Sequence, residues 1–378
     1  MKAPLYFFVS LLAVAGANAA GRTEIPNAAQ PQLCAANDGR VWLVYGRAGA
    51  APTAAAHQHG GEKAPATAAS RPAGDIFVAR SDDAGATFGS AIKVASVPNL
   101  MLGMRRGPRI AAYGDRVTVT VNGDELFALT SVDGGKTWSE PVTINDVPTS
   151  TREGLHDLAG AADGRLFTTW LDLRNGAMEL WGAASSDAGR TWGKNEQVYH
   201  SSDKSICECC HPTVLFDADG NLAVMWRNAV DGYRDMWMST RAKGSAQFTP
   251  ARKLGEGTWK LNACPMDGGK IVALGAGKFG SVWQRAGEVF FMPASGPEIL
   301  LGKGKQPVAV ANGANPLILW QEGNDLVLSR APGAPPSKLA SDSRFAVVVT
   351  LPGQQGNVVA YEQGAAKEKQ PGLVIERL

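Results

Sequence analysis

The chain has 378 residues, of which 19% are charged and 44% hydrophobic, and its formal net charge is +2. This balance does not favour a nucleic-acid partner, which would require a basic patch or stripe. The 44 glycines, 22 prolines and 10 tryptophans are typical of many short strands joined by tight turns.

The N-terminus has the three regions of a secretory signal peptide. Lys2 supplies a positive charge, residues 4–16 are apolar, and small residues before Gly21 form a cleavage site. The apolar run is too short to span a bilayer, and no later stretch is long enough. Residues 1–20 are therefore predicted to be removed, which implies a periplasmic or secreted protein with no membrane span.

From residue 21 onward the chain repeats one unit, which is an apolar strand, a glycine-containing turn and a second strand that ends in an aromatic residue. The spacing from glycine to aromatic is constant in four copies, Gly39 to Tyr45, Gly164 to Trp170, Gly220 to Trp226 and Gly277 to Trp283. Alternating apolar residues around such turns predict β-hairpins. Most hairpins are followed by a third strand.

Counting these units predicts seven, and six if the last two merge. They begin near Gln32, Pro108, His156, His211, Met266, Pro307 and Arg344. The last unit has three obvious strands, so residues 22–27 are expected to supply its fourth strand and close a ring. Residues 48–74 interrupt the period with an Ala/Pro/Gly-rich segment and are predicted to be a flexible insertion.

Three of the third strands lead into the motif Ser-x-Asp-x-Gly-x-Thr-aromatic, at residues 81–88, 131–138 and 185–192. This motif resembles the Asp box, or BNR repeat, of the sialidase-like β-propellers. The resemblance implies an all-β propeller of four-stranded blades. In such a blade the box lies on the face opposite the ligand funnel, so Asp83, Asp133 and Asp187 are expected to be structural.

The funnel face is the face reached by two kinds of loop, those that enter an innermost strand and those that join the second strand of a blade to the third. Most of the chain's cysteines and histidines fall in these loops. The predicted metal ligands are Cys207, Cys209, Cys210, His211 and Cys264. The accessory candidates are Met101, Met104, His156, Met266, His57 and His59.

Thiolate, imidazole and thioether donors together favour a soft metal, and the methionines favour copper over zinc. Two alternatives stay open, because an exported protein can instead form a disulfide that joins two blades, or use its thiols for redox chemistry. No Walker or Rossmann motif is present, so no nucleotide cofactor is predicted.

The family resemblance also implies a glycosidase with an arginine triad, a tyrosine–glutamate pair and an acidic proton donor. Residues 23–27 lack the arginine of the family's Phe/Tyr-Arg-Ile-Pro stretch. Tyr361 and Glu362 are adjacent in a predicted strand and therefore point to opposite faces. The remaining candidate catalytic carboxylates are Glu153, Asp157 and Asp172. The candidate substrate-binding arginines are Arg109, Arg174, Arg227, Arg234 and Arg285.

The leading prediction is an exported propeller that binds copper, or zinc, at its funnel mouth for metal handling or redox chemistry. One alternative is a sialidase-like glycoside hydrolase acting on acidic sugars. The other is a propeller that binds a small molecule or glycan without catalysis and has disulfide-linked blades. Whether the protein is an enzyme stays open at this stage.

Overall fold

A computed structural model describes residues 21–49, 72–364 and 371–378. The predicted signal peptide and most of the predicted insertion, with His57 and His59, lie outside these residues. The described chain is built from β-strands and one short 3-10 turn. Within it, no helix is long and apolar enough to cross a membrane.

Strand β1 (Arg22–Ile25) comes first, and the blades follow in chain order. The first blade contains β2 (Ala29–Ala35), β3 (Val41–Ala48), β4 (Gly74–Ser81) and β5 (Ile92–Val97). The second contains β6 (Arg109–Tyr113), β7 (Arg116–Asn122), β8 (Leu126–Ser131) and β9 (Val142–Thr143). The third contains β10 (His156–Gly160), β11 (Leu166–Asp172), β12 (Glu179–Ser185) and β13 (Glu196–Tyr199). The fourth contains β14 (Thr213–Phe216), β15 (Leu222–Arg227), β16 (Met236–Arg241) and β17 (Arg252–Lys253).

The fifth blade contains β18 (Lys270–Ala273), β19 (Phe279–Arg285), β20 (Glu288–Met292) and β21 (Ile299–Lys303). The sixth contains β22 (Lys305–Asn312), β23 (Asn315–Glu322), β24 (Asp325–Ser329) and β25 (Ser337–Ala340). The seventh contains β26 (Ser343–Thr350), β27 (Asn357–Gln363) and β28 (Gly372–Arg377). The 3-10 turn, Pro352–Gln354, lies between β26 and β27.

These strands form seven antiparallel sheets of four strands each, which is a seven-bladed β-propeller. The fourth strand of the last blade is β1, which pairs with β28 so that Thr23 lies opposite Ile375. The innermost strands of successive blades contact one another, and β26 contacts β2. The expected closure by residues 22–27 is confirmed for Arg22–Ile25, and the six-blade alternative is wrong.

The hydrophobic core lies between neighbouring blades, because each sheet buries both faces against the next. The aromatic residue near the end of the second strand is fully buried in most blades. This set is Tyr45, Trp170, Trp226, Trp283, Trp320 and Tyr361. The recurring aromatic of the repeat therefore marks where one blade packs on another.

Each Asp box closes on itself through its own side chains. In the first box, the Asp83 carboxylate accepts hydrogen bonds from the hydroxyl of Ser81 at 2.7 Å and from the hydroxyl and backbone N–H of Thr87 at 2.6 and 2.9 Å. The Thr87 hydroxyl is the largest of the causes that lower the pKa of Asp83 to about 2. Asp133 and Asp187 have equivalent bonds. The carboxylates hold turns, as expected.

Candidate functional site

The innermost strands of the seven blades surround a central channel with a volume of about 690 Å³. Its wall is largely apolar and is lined by side chains such as Ala111, Val272 and Val348. Hairpin turns carrying Asn37 and Gln354 border one end. The other end lies at the funnel face, where charged side chains replace the apolar ones.

Asp157, in β10, is at the centre of this charged end. Its carboxylate lies 3.3 Å from Nε of Arg109 and 3.2 Å from Nζ of Lys270, and it accepts a hydrogen bond from the Val214 N–H. Burial alone would raise the pKa of Asp157, but Lys270 and Arg109 lower it to about 2. Asp157 is therefore a buried, ionised carboxylate whose negative charge is balanced by Arg109 and Lys270.

Arg105 reaches across the channel from the loop that enters the second blade. Its guanidinium donates to the side-chain and backbone oxygens of Gln306, at 2.9 and 3.0 Å, and to the Ala346 carbonyl at 2.8 Å. Burial lowers the pKa of Arg105 to about 10, which still leaves it charged at neutral pH. This side chain ties the second blade to the sixth and seventh.

His156 and His211 are buried near the same end. Nε2 of His211 lies 3.2 Å from the Gly269 carbonyl, and Nε2 of His156 lies 3.1 Å from the Thr120 hydroxyl. Nδ1 of each ring has no hydrogen-bond partner in the described chain. Burial is the largest cause that lowers the pKa of both rings, so both are neutral at neutral pH.

Cys207, Cys209 and Cys210 come together in the turn that leads into β14. Their side chains are buried, and all three sulfur atoms lie within 4.8 Å of one another. The Cys207 sulfur is 3.7 Å from that of Cys209 and 3.2 Å from that of Cys210. The backbone N–H of Cys207 donates to the Arg227 carbonyl at 3.0 Å, which anchors the turn beside β15. We call these three residues the thiol cluster.

The three thiols of the cluster differ in pKa. Hydrogen bonds with Cys209 and then with Cys210 lower the pKa of Cys207, and the nearby positive charge of Arg227 contributes in the same direction. The bond to Cys207 raises the pKa of Cys209, and burial raises that of Cys210. Of the three thiols, Cys207 is the one whose surroundings favour the thiolate. Neither His211 nor Cys264 belongs to this group of mutually close ligand atoms.

A second cavity, the funnel pocket, opens between the sixth, seventh and first blades and has a volume of about 800 Å³. Its charged lining consists of Arg47, Lys305, Arg344 and Glu362. Three sulfur-containing side chains also line it, Met104, Cys264 and Met266. Met104 and Cys264 are exposed, whereas Met266 packs against the thiol cluster.

The three carboxylates predicted from the sequence have separate surroundings. Asp172 is fully buried and accepts hydrogen bonds from Trp170, Ser150 and Arg174. Asp157 lies at the channel end described above. Glu153 is partly exposed and is placed 3.7 and 3.8 Å from the guanidiniums of Arg106 and Arg152. None of the three lines the funnel pocket.

The five predicted recognition arginines all have protein partners. Arg109 pairs with Asp157 as described, Arg174 with Asp172 and Asp146, and Arg285 with Glu298. Arg227 is fully buried and donates to three backbone carbonyls, and Arg234 donates to the Leu261 carbonyl. Met101 is buried away from the funnel pocket.

Sequence reasoning missed the charged lining of the funnel pocket. Arg47 stands two residues after Tyr45, just as Asp172 follows Trp170 and Arg285 follows Trp283. A charged residue two positions after the buried aromatic was the signal that could have identified Arg47. Lys305, Arg344 and Glu362 belong to blades whose loops carry no motif; Arg344 was noted only as the start of a unit, and Glu362 only beside Tyr361.

Residues 115–274 match the family described as BNR repeat-like domain. No curated protein matches the chain. Among solved structures, a protein of unknown function from Dyadobacter fermentans DSM 18053 is similar, with 15% identity and a TM-score of 0.55. That alignment covers 95% of this chain and 98% of the other.

Two further structures share the fold at 12% identity. One is YCF48 bound to a D1 peptide, with a TM-score of 0.53 and coverage of 96% of this chain and 98% of that chain. The other is the GH93 α-L-arabinofuranosidase of Fusarium graminearum with arabinobiose, with a TM-score of 0.50 and coverage of 94% and 97%. The ring of seven blades makes the chain a β-propeller, and its residues 115–274, which include two of the three Asp boxes, are similar to the BNR repeat-like domain.

Proposed function

We propose that this protein binds an acidic sugar in the funnel pocket. The observation that carries the proposal is the charge of the described lining, in which Arg47, Lys305 and Arg344 oppose the single carboxylate of Glu362. A volume of about 800 Å³ lies in the range of small-molecule sites. A pocket of this size and charge suits a small anionic ligand.

Arg47 is the residue we expect to recognise the anion. Its guanidinium stacks 4.7 Å from the ring centroid of Phe77 and 5.6 Å from that of Tyr45, which orients the plane. Nε of Arg47 has no hydrogen-bond partner in the described chain. A planar guanidinium with unused donors fits a carboxylate through two parallel hydrogen bonds.

Glu362 fixes the opposite wall. One of its oxygens accepts from Nε of Arg344 at 2.9 Å, and the other accepts from the backbone and side-chain nitrogens of Gln30, both at 2.9 Å. This arrangement holds the Arg344 guanidinium in place beside the cavity. Lys305 is exposed at the rim and adds a second cation with no carboxylate partner among the described residues.

Binding is better supported than cleavage. Glycoside hydrolysis usually requires two carboxylates that flank the bond to be broken. The described lining supplies Glu362 alone, and Asp157 and Asp172 are engaged elsewhere. The choice of a sugar as ligand rests on the Fusarium enzyme, which shares the fold and is crystallised with the neutral sugar arabinobiose, whereas the choice of an acidic sugar rests on the charge of the pocket. The predicted signal peptide would place the pocket outside the cytoplasm.

The test is calorimetric titration of the full mature chain with N-acetylneuraminic acid and glucuronic acid, beside neutral galactose and arabinobiose. We expect an acidic sugar to bind more tightly than its neutral counterparts. Arg47→Gln should weaken that binding about 10- to 100-fold, because a charge-assisted pair is lost.

Arg152→Gln is the matched control, since Arg152 is exposed on a funnel-face loop but does not line the pocket. It should bind like the unmodified chain. Equal binding of neutral and acidic sugars, or unchanged binding by Arg47→Gln, would contradict the proposal. Release of a fluorophore from 4-methylumbelliferyl glycosides would show that the protein hydrolyses glycosides. Hydrolysis would then replace binding as the proposed function.

A further inference from the structure

We infer that the thiol cluster is a binding site for monovalent copper, reached through the funnel pocket. This inference is independent of the proposed sugar binding, because no thiol-cluster residue lines the pocket. It begins from the sulfur positions. Three sulfurs each about 2.3 Å from one ion lie about 3.8 Å apart in a tetrahedral arrangement and about 4.0 Å apart in a trigonal plane.

The observed spacing requires little rearrangement to reach that geometry. The Cys207 sulfur lies 3.7 Å from Cys209 and 3.2 Å from Cys210, and the whole set fits within 4.8 Å. The turn is held by the bond from Cys207 N–H to the Arg227 carbonyl. The three donors are therefore brought together by the fold before any ion binds.

The surroundings of the cluster favour a soft ion. Met266 packs against the thiol cluster, so the side chain beside the three thiols carries a soft thioether rather than a hard oxygen donor. Glu208, the hard donor between Cys207 and Cys209, is exposed rather than buried with them. Thiolate and thioether donors select monovalent copper, whereas carboxylates suit harder ions.

Binding copper leaves a buried negative charge that must be balanced. The three thiols release their protons to solvent, so three thiolates and one monovalent cation give a net charge of −2. Arg227, which is fully buried beside this turn, supplies a compensating positive charge. Its guanidinium is held by the carbonyls of Asp267, Arg234 and Gln284 and does not depend on the ion for its position.

Met266 connects the funnel pocket to the thiol cluster. Met104 and Cys264 are exposed in the wall of the pocket, and Met266 belongs both to that wall and to the packing around the cluster. A copper ion can pass from exposed sulfur donors to Met266 and then to the three thiolates. Cys209 is the most accessible of the three, with 8% exposure compared with 1% for Cys207 and Cys210.

The competing chemistry is oxidation, because Cys207 and Cys210 have neighbouring sulfurs and could form a disulfide. The test therefore uses the full mature chain, purified and reduced under anaerobic conditions, with five free thiols counted after denaturation. Monovalent copper is then titrated against the chromophoric chelator bathocuproine disulfonate. We expect one equivalent of copper per chain.

The triple variant Cys207→Ser/Cys209→Ser/Cys210→Ser should lose more than about 100-fold in copper affinity. Cys34→Ser, at a thiol that lines the central channel, is the matched control and should keep one tight equivalent. Cys264→Ser should also keep it. If the triple variant does not fold, Cys209→Ser with far-ultraviolet circular dichroism replaces it.

X-ray absorption at the copper edge gives a readout that needs no variant. We expect three sulfur neighbours at about 2.3 Å. Nitrogen or oxygen neighbours, no binding by the reduced chain, or full affinity in the triple variant would overturn the inference. Preferential retention of divalent zinc over monovalent copper would overturn the choice of metal.

Discussion

Asp157, at the charged end of the channel, has a structural role. Its charge is buried, and a buried carboxylate is tolerated when cations and hydrogen-bond donors surround it. Arg109 and Lys270 provide those cations, and Val214 provides the donor. Arg109 therefore forms an ion pair with Asp157, although its position in the chain predicted that it would bind substrate.

His156 predicts a pH dependence of stability. Burial, and then the charge of Arg109, lowers its pKa to about 3, compared with about 6.5 in an unfolded chain. Below pH 6.5 the unfolded chain takes up a proton that the folded chain does not. The stabilising contribution of the neutral ring is therefore complete above pH 6.5 and decreases as the pH falls towards 3, by about 1.4 kcal/mol per pH unit.

The measurement is the free energy of unfolding by urea at pH 7.5, 6 and 5, for the unmodified chain and for His156→Gln. The unmodified chain should lose stability faster on acidification, by about 1 kcal/mol more between pH 6 and 5 and by less between pH 7.5 and 6, because glutamine does not titrate. Replacing the exposed His200 by glutamine is the control and should preserve the steep dependence. Parallel slopes for the unmodified chain and His156→Gln would show that this ring is not the cause.

At the scale of elements, the Asp-box turns place two successive residues in the left-handed region. In the second box these are Gly134 and Gly135, with φ of 72° and 82°. The first position holds alanine in the other boxes, Ala84 and Ala188, with φ of 57° and 59°. The second position is always glycine, so the two positions must differ in more than backbone conformation.

The difference is packing, and it predicts unequal costs. A Cβ on Gly135 would lie 2.8 Å from the Trp42 ring, whereas one on Gly134 would have no contact closer than 3.4 Å. Gly134→Ala should destabilise the fold by about 1 kcal/mol through backbone strain alone. Gly135→Ala should cost about 3 kcal/mol, because overpacking is added. Urea unfolding of both variants measures this, and equal costs would contradict the packing argument.

At the scale of the whole molecule, the ring is closed by joining the two ends of the described chain. The N–H of Arg377 donates to the Gly21 carbonyl, and the strands then pair in antiparallel register. Hydrogen-bonded and non-bonded pairs alternate in such a ladder. Thr23, opposite Ile375, is therefore a hydrogen-bonded position, and Glu24, opposite Val374, is not.

This register predicts that two neighbouring proline substitutions differ. Thr23→Pro removes a closing hydrogen bond and leaves the Ile375 carbonyl unpaired, at a cost of about 1–3 kcal/mol. Glu24→Pro should cost less, because its N–H points away from β28 on the edge of the blade. The urea midpoint of each variant is the measurement. Equal shifts for both would mean that β1 does not close the ring in this register.

The fold was predictable from the sequence because each blade carries its own local signals. The glycine-to-aromatic spacing, the Asp boxes and residues 22–27 each act over a short stretch of chain, and the seven-bladed ring follows from repeating them. The convergence of Cys207, Cys209 and Cys210 was likewise predictable, because they share one turn.

Tertiary structure alone decided the partners of residues that are distant in sequence. Arg109 and Arg174 pair with Asp157 and Asp146 of neighbouring blades, whereas no described carboxylate pairs with Arg47, which lines the funnel pocket. Cys264 was expected to join the thiol cluster, yet it lies exposed, while Met266, two residues later, packs against the cluster. A local motif specifies its own turn, but side-chain contacts between blades depend on the relative position of whole sheets, which packing around the ring determines.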